Sequence, residues 1–571
     1  MIQESVIPKK ELIFISLIQG LCLLFLHESI ALKFWPYSDR SWLIGLYTIV
    51  IVAPILLLLS LEKKNFIRVA KFVFGFSMIV GVVGFYTGLQ TMPADYIRFN
   101  TILSVFIPTM AIAAFKALMY IQQLVSGKSF SYSQLFQWSW RNFFTLSSSM
   151  LFALCFWGVL MLWAGLFKAI KIDFFYDLFT ERWFFYPSVA MANGFGIIIF
   201  RNLSSVIDTI TRLQQALMKF LLVILSLVSV LFLFGLLASG LSPLWETGGS
   251  ALILWMQAIM FFFVNAVYQD APDTRPYHIV LHRIVIAGVA LLPLYSVISF
   301  YGLSLRVDQY GWSLMRCWAF IIWGLLALFS FGYLKGIITK RDAWISDLSR
   351  INVVMGLVIM GIMIIVNSPV LDLRKIVVSS QIDRHDLEDN YDEFDAYYFK
   401  NHLGRAGYIA IEKLKKEKFE SHPQLIVQIN AHYFNERKNV LGGELMEEEF
   451  IQAINYGEKQ LPEGLGEAIY KKFSGNSWQM RNVLNYNIVE VNLNDDKYME
   501  YILVRRQKNH SNMSVFYKES NVWKSYGFND STYAGASVSN EISDRIISGE
   551  FEVKVPAWKE LDVDGKKISI K

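Results

Sequence analysis

The amino-acid sequence predicts a polytopic α-helical membrane protein, with about 11 transmembrane helices and a C-terminal α+β extramembrane domain. Three observations carry this. Charged residues make up only 18% of the 571 positions and apolar residues 54%, whereas soluble chains carry roughly a quarter charged. The mean hydropathy is +0.38. The apolar residues gather in runs of about 20, the length that crosses a ~30 Å hydrocarbon core as a helix. The runs stop near residue 370, and the remainder reads as short helices and alternating strands. This balance argues against a DNA-binding protein, a secreted protein or a cytosolic enzyme.

Spans are expected near 12–29, 42–61, 69–89, 101–122, 144–167, 183–200, 216–239, 249–268, 279–303, 312–334 and 351–368. The first follows Lys9 and Lys10 like a signal peptide, but no small-residue cleavage site follows it. His27-Glu28-Ser29 does, so it reads as a retained helix. Residues 131–143 read as a short amphipathic helix lying in the membrane interface. Pro293 falls mid-span and predicts a kink, since it frees a carbonyl. Trp35, Trp138, Trp140, Trp183 and Trp312 cluster at span ends, where amphipathic rings anchor a helix at the headgroups.

Charge sets the expected orientation. Residues 1–370 carry 26 Lys+Arg against 16 Asp+Glu, and residues 371–571 carry 27 against 32. With the N-terminus in the cytoplasm, 17 basic residues of the first part lie on the cytoplasmic side and 7 on the other, while Lys116 and Arg316 lie inside spans. Basic residues favour the cytoplasmic face, so the N-terminus is expected there. An odd span count then puts the C-terminal domain outside the cytoplasm. The basic excess sits in short loops rather than on a soluble face, so no nucleic-acid partner is expected. The lipid bilayer is the expected partner.

Two domains are expected: a transmembrane bundle over 1–370 and a soluble extracytoplasmic α+β domain over 371–571. Residues 380–418 read as helix, acidic at its start and basic at its end, as the helix dipole favours, with a break near Gly404 and Gly407. Residues 485–571 are hairpin-rich. Val489 and Val491 alternate with polar neighbours, Asn494-Asp495 supplies a turn, and Tyr501–Val504 returns. Asp564-Gly565 marks a last hairpin.

The leading candidate site is the connection between the ninth and tenth spans, where Arg306, Asp308, Tyr310 and Arg316 lie close together. An ionisable group one turn inside a span needs protein, water or a ligand beside it, and two arginines can grip a phosphate or carboxylate. The plainer alternative is an Arg316–Asp308 pair, or Arg316 snorkelling to the headgroups. Weaker candidates follow. His278 and His282 share a helix face and could bind a metal with Asp270 or Asp273, but Arg275 and Arg283 disfavour a cation, so no metal is expected. His27, Glu28 and Asp39 flank the first outer loop, where a lipid-linked-sugar transferase would place a carboxylate. The acidic run 383–395 lacks the glycine and terminal glutamate of a calcium loop. Cys22, Cys155 and Cys317 form no paired spacing. No nucleotide, hydrolase or zinc-protease motif occurs, and no cofactor is expected.

Three stretches carry a family resemblance: Phe263–Asp270; Tyr301-Gly302 with Arg306, Gln309-Tyr310-Gly311 and Arg316; and Asn367-Ser368-Pro369 with Ser379-Ser380-Gln381 and Arg384. Together they resemble the bacterial multispanning inner-membrane family catalogued as domain of unknown function 4153. Leu303-Ser304-Leu305 stands where a Thr- and Pro-containing turn is expected in that family. The resemblance implies a multispanning protein with an extramembrane C-terminal part and names no catalytic residue.

The functional expectation is an envelope role of unknown biochemical activity: binding an anionic ligand, such as an anionic lipid or lipid-linked glycan, or scaffolding a protein partner through residues 371–571. The alternatives are a membrane-embedded glycosyl- or lipid-group transferase, dependent on Glu28 or Asp39, and a small-molecule or lipid transporter, with a water-filled cavity at the Pro293 kink.

Overall fold

The computed structural model describes residues 7–94, 96–127, 130–246, 249–269, 276–341, 344–388, 391 and 394–418 of a first compact unit (1–419). In a second unit (420–571) it describes residues 422, 425, 429, 447–452, 454–457, 459–474, 483, 485–494, 496–507, 510–519, 522–527, 537–554, 561–563 and 566–568. The unit boundary falls after the expected 370/371 division. Hydropathy marks where the chain leaves the apolar layer, whereas the compact unit ends where packing ends.

Among the described residues, 11 helices are long and apolar enough to cross a membrane. They are α1 (Lys9–Ala31), α2 (Arg40–Ser60), α3 (Phe66–Gln90), α4 (Phe99–Ser126), α5 (Tyr132–Ala169), α7 (Arg182–Asn202), α8 (Ser204–Ser239), α10 (Ser250–Val267), the pair α11 (Ile279–Ala290) with α12 (Leu292–Tyr310), α13 (Leu314–Lys340) and α14 (Ile345–Ile365). Short helices α6 (Phe174–Thr180) and α9 (Ser242–Glu246) join them. Each expected span falls on one of these. The fifth has a mean hydropathy of 2.2 over a window only 11% buried within the molecule. An apolar helix so little covered has lipid as its solvent.

Two features differ from the sequence reading. Residues 132–143 are not a separate helix, because α5 runs unbroken through them for 38 residues. No proline or glycine interrupts them, so nothing ends the helix there. The tail helix expected over 380–418 breaks near Gly404 as expected, but it also starts earlier and breaks once more, giving α15 (Leu373–Glu388), α16 (Ala396–His402) and α17 (Gly404–Glu417). Asp395 starts α16 by accepting from the Tyr398 amide at 2.8 Å, and Gly404, at φ +53°, permits the left-handed turn before α17. The Pro293 kink is present as the break at Leu291, with Pro293 in the first turn of α12.

The bundle has two apolar cores. One gathers Leu12, Leu56, Val73, Val80, Ala113 and Ile197 from α1–α4 and α7. The other gathers Leu222, Val264, Val289, Tyr295, Tyr333 and Trp344 from α8 and α10–α14. Met119, Tyr120 and Leu135 form a small cluster of their own. Helices α2 and α3 approach closely because small residues face each other: a Cβ on Gly84 would stand 2.6 Å from Thr48 Oγ1.

The second unit holds a mixed sheet. Strands β2 (Asn485–Val491), β3 (Glu500–Arg506), β4 (Ser511–Glu519) and β5 (Val522–Gly527) form an antiparallel meander; β1 (Ile454–Asn455) pairs parallel with β2, and β6 (Ser537–Val538) pairs with β4. Register sets Val489 opposite Ile502 and Leu503 opposite Ser514. Alternation then sorts the faces. Tyr486, Ile488, Leu503 and Phe516 pack with Phe450 of α18 (Glu447–Gln452) and Ile469 and Phe473 of α19 (Leu465–Ser474). Val491, Ile502, Val504 and Met513 pack on the other side with Ile546 and Ile547 of α20 (Asn540–Ile547). The last hairpin is β7 (Leu561–Val563) with β8 (Lys566–Ile568); its turn residues Asp564 and Gly565 lie outside the described residues.

Candidate functional site

The expected site between the ninth and tenth spans is built from two helix ends rather than a long loop. Arg306, Asp308 and Tyr310 ride the last turns of α12, which Gly311 terminates at φ +67°. Arg316 sits in the first turn of α13, whose N-cap is Ser313. The Arg306 and Arg316 guanidiniums lie 6.0 and 5.3 Å from the centre of the Tyr310 ring, within cation–π range. Arg316 is held by the helix end beside it. Its Nη1 donates to the carbonyls of Tyr310 at 3.1 Å and Gly311 at 2.7 Å.

The same helix end is held by α15, since the last carbonyls of a helix lack partners of their own. Arg384 donates to the Gln309 carbonyl at 2.7 Å, and Gln381 to the Trp312 carbonyl at 2.7 Å. The Trp312 amide donates to Ser380 Oγ at 3.0 Å, and the Leu314 amide to Tyr398 Oη at 3.0 Å. Ser380, Gln381 and Arg384 share one helical face by spacing. The second and third resembling stretches are thus two sides of one contact. A Cβ on Gly311 would stand 3.0 Å from Gln381 Nε2, so the turn is tightly packed as well as left-handed.

A second site is formed by a cavity of about 450 Å³ inside the bundle, lined from α4, α5, α8, α10, α13 and α14. Its walls are mainly aromatic and aliphatic, and Lys116 is the one charged residue among the described residues that line it. Among the described residues no carboxylate lines it, and Lys116 makes no hydrogen bond or ion pair. Gln214 Oε1, also in the lining, is buried without a hydrogen-bond partner among the described residues. One wall is fixed by a polar knot: Asn352 Nδ2 donates to Asn265 Oδ1 at 2.9 Å, the Tyr333 hydroxyl lies within hydrogen-bond reach of both asparagine Oδ1 atoms and donates to one of them, and Tyr132 donates to the Asn265 carbonyl at 2.8 Å. Asn265 comes from the first resembling stretch, which therefore shapes this wall.

Sequence reasoning placed Lys116 inside a span but not in a site. Its signal was there, because an ammonium within an apolar run is costly. Side-chain direction was missing. Lys116 stands ten residues before α4 ends at Ser126, about 15 Å of helix, further than a four-carbon stem can snorkel.

The weaker candidates go to separate structural tasks. His282 is fully buried, with Nδ1 2.9 Å from Tyr268 Oη; Asp270 and Asp273, its would-be partners, lie outside the described residues. Glu28 pairs with Arg182 at 3.5 Å, the His27 ring packs on Tyr186, and Asp39 accepts from the Ser41 amide at 2.9 Å as the N-cap of α2. In the acidic run, Asp386 meets Lys418 at 3.0 Å and Asp383 accepts from Ser379; Asp389, Asp392 and Glu393 lie outside the described residues. Among the described residues no three His, Cys, Asp or Glu gather as metal ligands. The described cavity is lined by other residues than those at the Pro293 kink.

Eleven long apolar helices around two buried cores define the class: this is a multi-pass membrane protein. Residues 15–414 match the family model described as Domain of unknown function (DUF4153), and the chain belongs to that family. No curated protein and no solved structure matches it.

Proposed function

We propose that the protein binds an anionic ligand within the membrane, as an inner-membrane protein of a bacterial cell envelope. The observation that carries this is Lys116, an ammonium inside a span, facing an apolar-walled cavity with no carboxylate and no hydrogen-bond partner among the described residues. An ionisable residue in such a place is functional by default, because nothing structural repays its desolvation. The basic-loop bias puts the N-terminus in the cytoplasm and the second unit outside. Tyr132 opens α5 and Asn265 lies near the end of α10, so the cavity then sits in the cytoplasmic half of the bilayer.

The test is native mass spectrometry of the full chain from mild detergent. A co-purifying anion is expected with wild type and with Lys116→Arg, and is expected to be lost with Lys116→Met. Retention unchanged in Lys116→Met overturns the reading. A second reading keeps Arg306, Asp308, Tyr310 and Arg316 as an outer anion site, favoured by the convergence of two guanidiniums on one ring. Loss of the ligand in Arg306→Ala but not in Lys116→Met selects it.

A further inference from the structure

We propose that the cavity takes an anionic lipid with a hydroxylated headgroup, admitted sideways from the bilayer between α5 and α10. This rests on the reading of Lys116 as an anion site and adds the ligand class and its route.

The route follows from exposure. Lining residues such as Met119, Tyr120, Leu135 and Asn352 are 3–7% exposed. Phe143 on α5 and Phe262 on α10 line the same cavity yet are 53% and 52% exposed. These two rings therefore mark where the cavity meets the surface. Trp140 lies between them, its ring centre 6.3 Å from Phe143 and 6.5 Å from Phe262. Both helices are membrane spans, so a mouth on their outward faces opens into lipid. A small hydrated anion would have to cross apolar side chains to enter there. A lipid already has its chains on that side and needs to bring in only its head.

The class follows from the lining. One cation, with no carboxylate among the described lining residues, selects a single negative group, and the phosphate of a lipid head supplies it. Among the described residues Gln214 Oε1 is an acceptor with no donor, and leaving a buried acceptor unpaired is costly. A hydroxyl on the head supplies that donor. The aromatic wall suits the first methylenes of the chains. At about 450 Å³ the cavity falls within the range of small-molecule sites and holds the head, with the tails passing Phe143 and Phe262 into the bilayer.

The full chain in mild detergent is equilibrated with dioleoyl phosphatidylglycerol, dioleoyl phosphatidylcholine or glycerol 3-phosphate, and retention is read by native mass spectrometry. Phosphatidylglycerol is expected to be retained at least tenfold better than phosphatidylcholine. It is expected to fall tenfold or more in Lys116→Met, to persist in Lys116→Arg, and to fall several-fold in Gln214→Leu. A thermal unfolding scan of each variant confirms that it is folded. Lys116-dependent binding of glycerol 3-phosphate with exclusion of the lipid overturns the lipid proposal and leaves the anion site standing. Absence of any Lys116-dependent binding overturns both. A phosphatidylglycerol carrying a diazirine on its chain is expected to label peptides around Phe143 and Phe262; labelling confined to other helices overturns the lateral route.

Discussion

Arg201 and Lys116 are both cations carried by membrane spans, and their surroundings are opposite. Arg201 lies at the end of α7 and donates to the Leu58 carbonyl at 2.7 Å and the Leu61 carbonyl at 3.0 Å, where α2 runs out. Lys116 lies within α4 and donates to nothing among the described residues. The difference is a matter of helix anatomy. The last carbonyls of a helix have no amide partner, whereas those in its middle are used by the residue four positions on. A cation near a helix end finds acceptors in the protein itself. A cation beside mid-helix backbone finds none and is left for something else. Arg316 follows Arg201 in this, since it caps the end of α12.

The largest expected effect tests that contrast directly. Arg201→Met strips two carbonyls of their donor and is expected to destabilise the bundle by about 2–4 kcal/mol, read by unfolding in detergent. With the bound anion stripped from both proteins, Lys116→Met is expected to act the other way, stabilising by about 1–3 kcal/mol, because a lysine at mid-helix is unfavourable in hydrocarbon. Equal signs for the two variants would break the comparison. Arg316→Ala comes next, at about 1–2 kcal/mol. Arg316→Lys is expected to recover only part of that, because an ammonium keeps the charge but lacks the guanidinium plane that packs by the Tyr310 ring.

The smallest effect is one of pH. The hydrogen bond from Tyr391, and then the Lys418 ammonium, hold the Asp386 carboxyl below its usual range. A depressed folded value contributes stability that is full above the unfolded value of about 3.9 and is lost as pH falls through the folded one. The protection of α15 and α17 amides, taken relative to the intrinsic exchange rate at each pH, is therefore expected to fall below about pH 4. Tyr391→Phe is expected to flatten that dependence. Asp386 is 45% exposed, which keeps the effect small.

The bundle was legible because hydropathy reports what faces lipid, residue by residue. Each span needed only its own apolar run, and the hairpins over 485–527 needed only alternation and turn residues. The site was less legible. Arg306, Tyr310 and Arg316 do converge, yet the destination of Arg316 depends on where α12 stops, and Gly311 rather than the apolar run decides that. The docking of Ser380, Gln381 and Arg384 on that end joins positions about 70 residues apart, beyond any local pattern. Lys116 was visible as a charge within a span. The cavity beside it is made by six helices, and no one stretch of sequence contains it.

The contact of α15 with the end of α12 also bears on how the protein is made. The carbonyls of Gln309 and Trp312 emerge from synthesis before their donors at Arg384 and Gln381 exist. A chain stopped after α14 would have inserted every span and still carry those carbonyls without these partners. The end of α12 is thus completed only by a helix made after the last span.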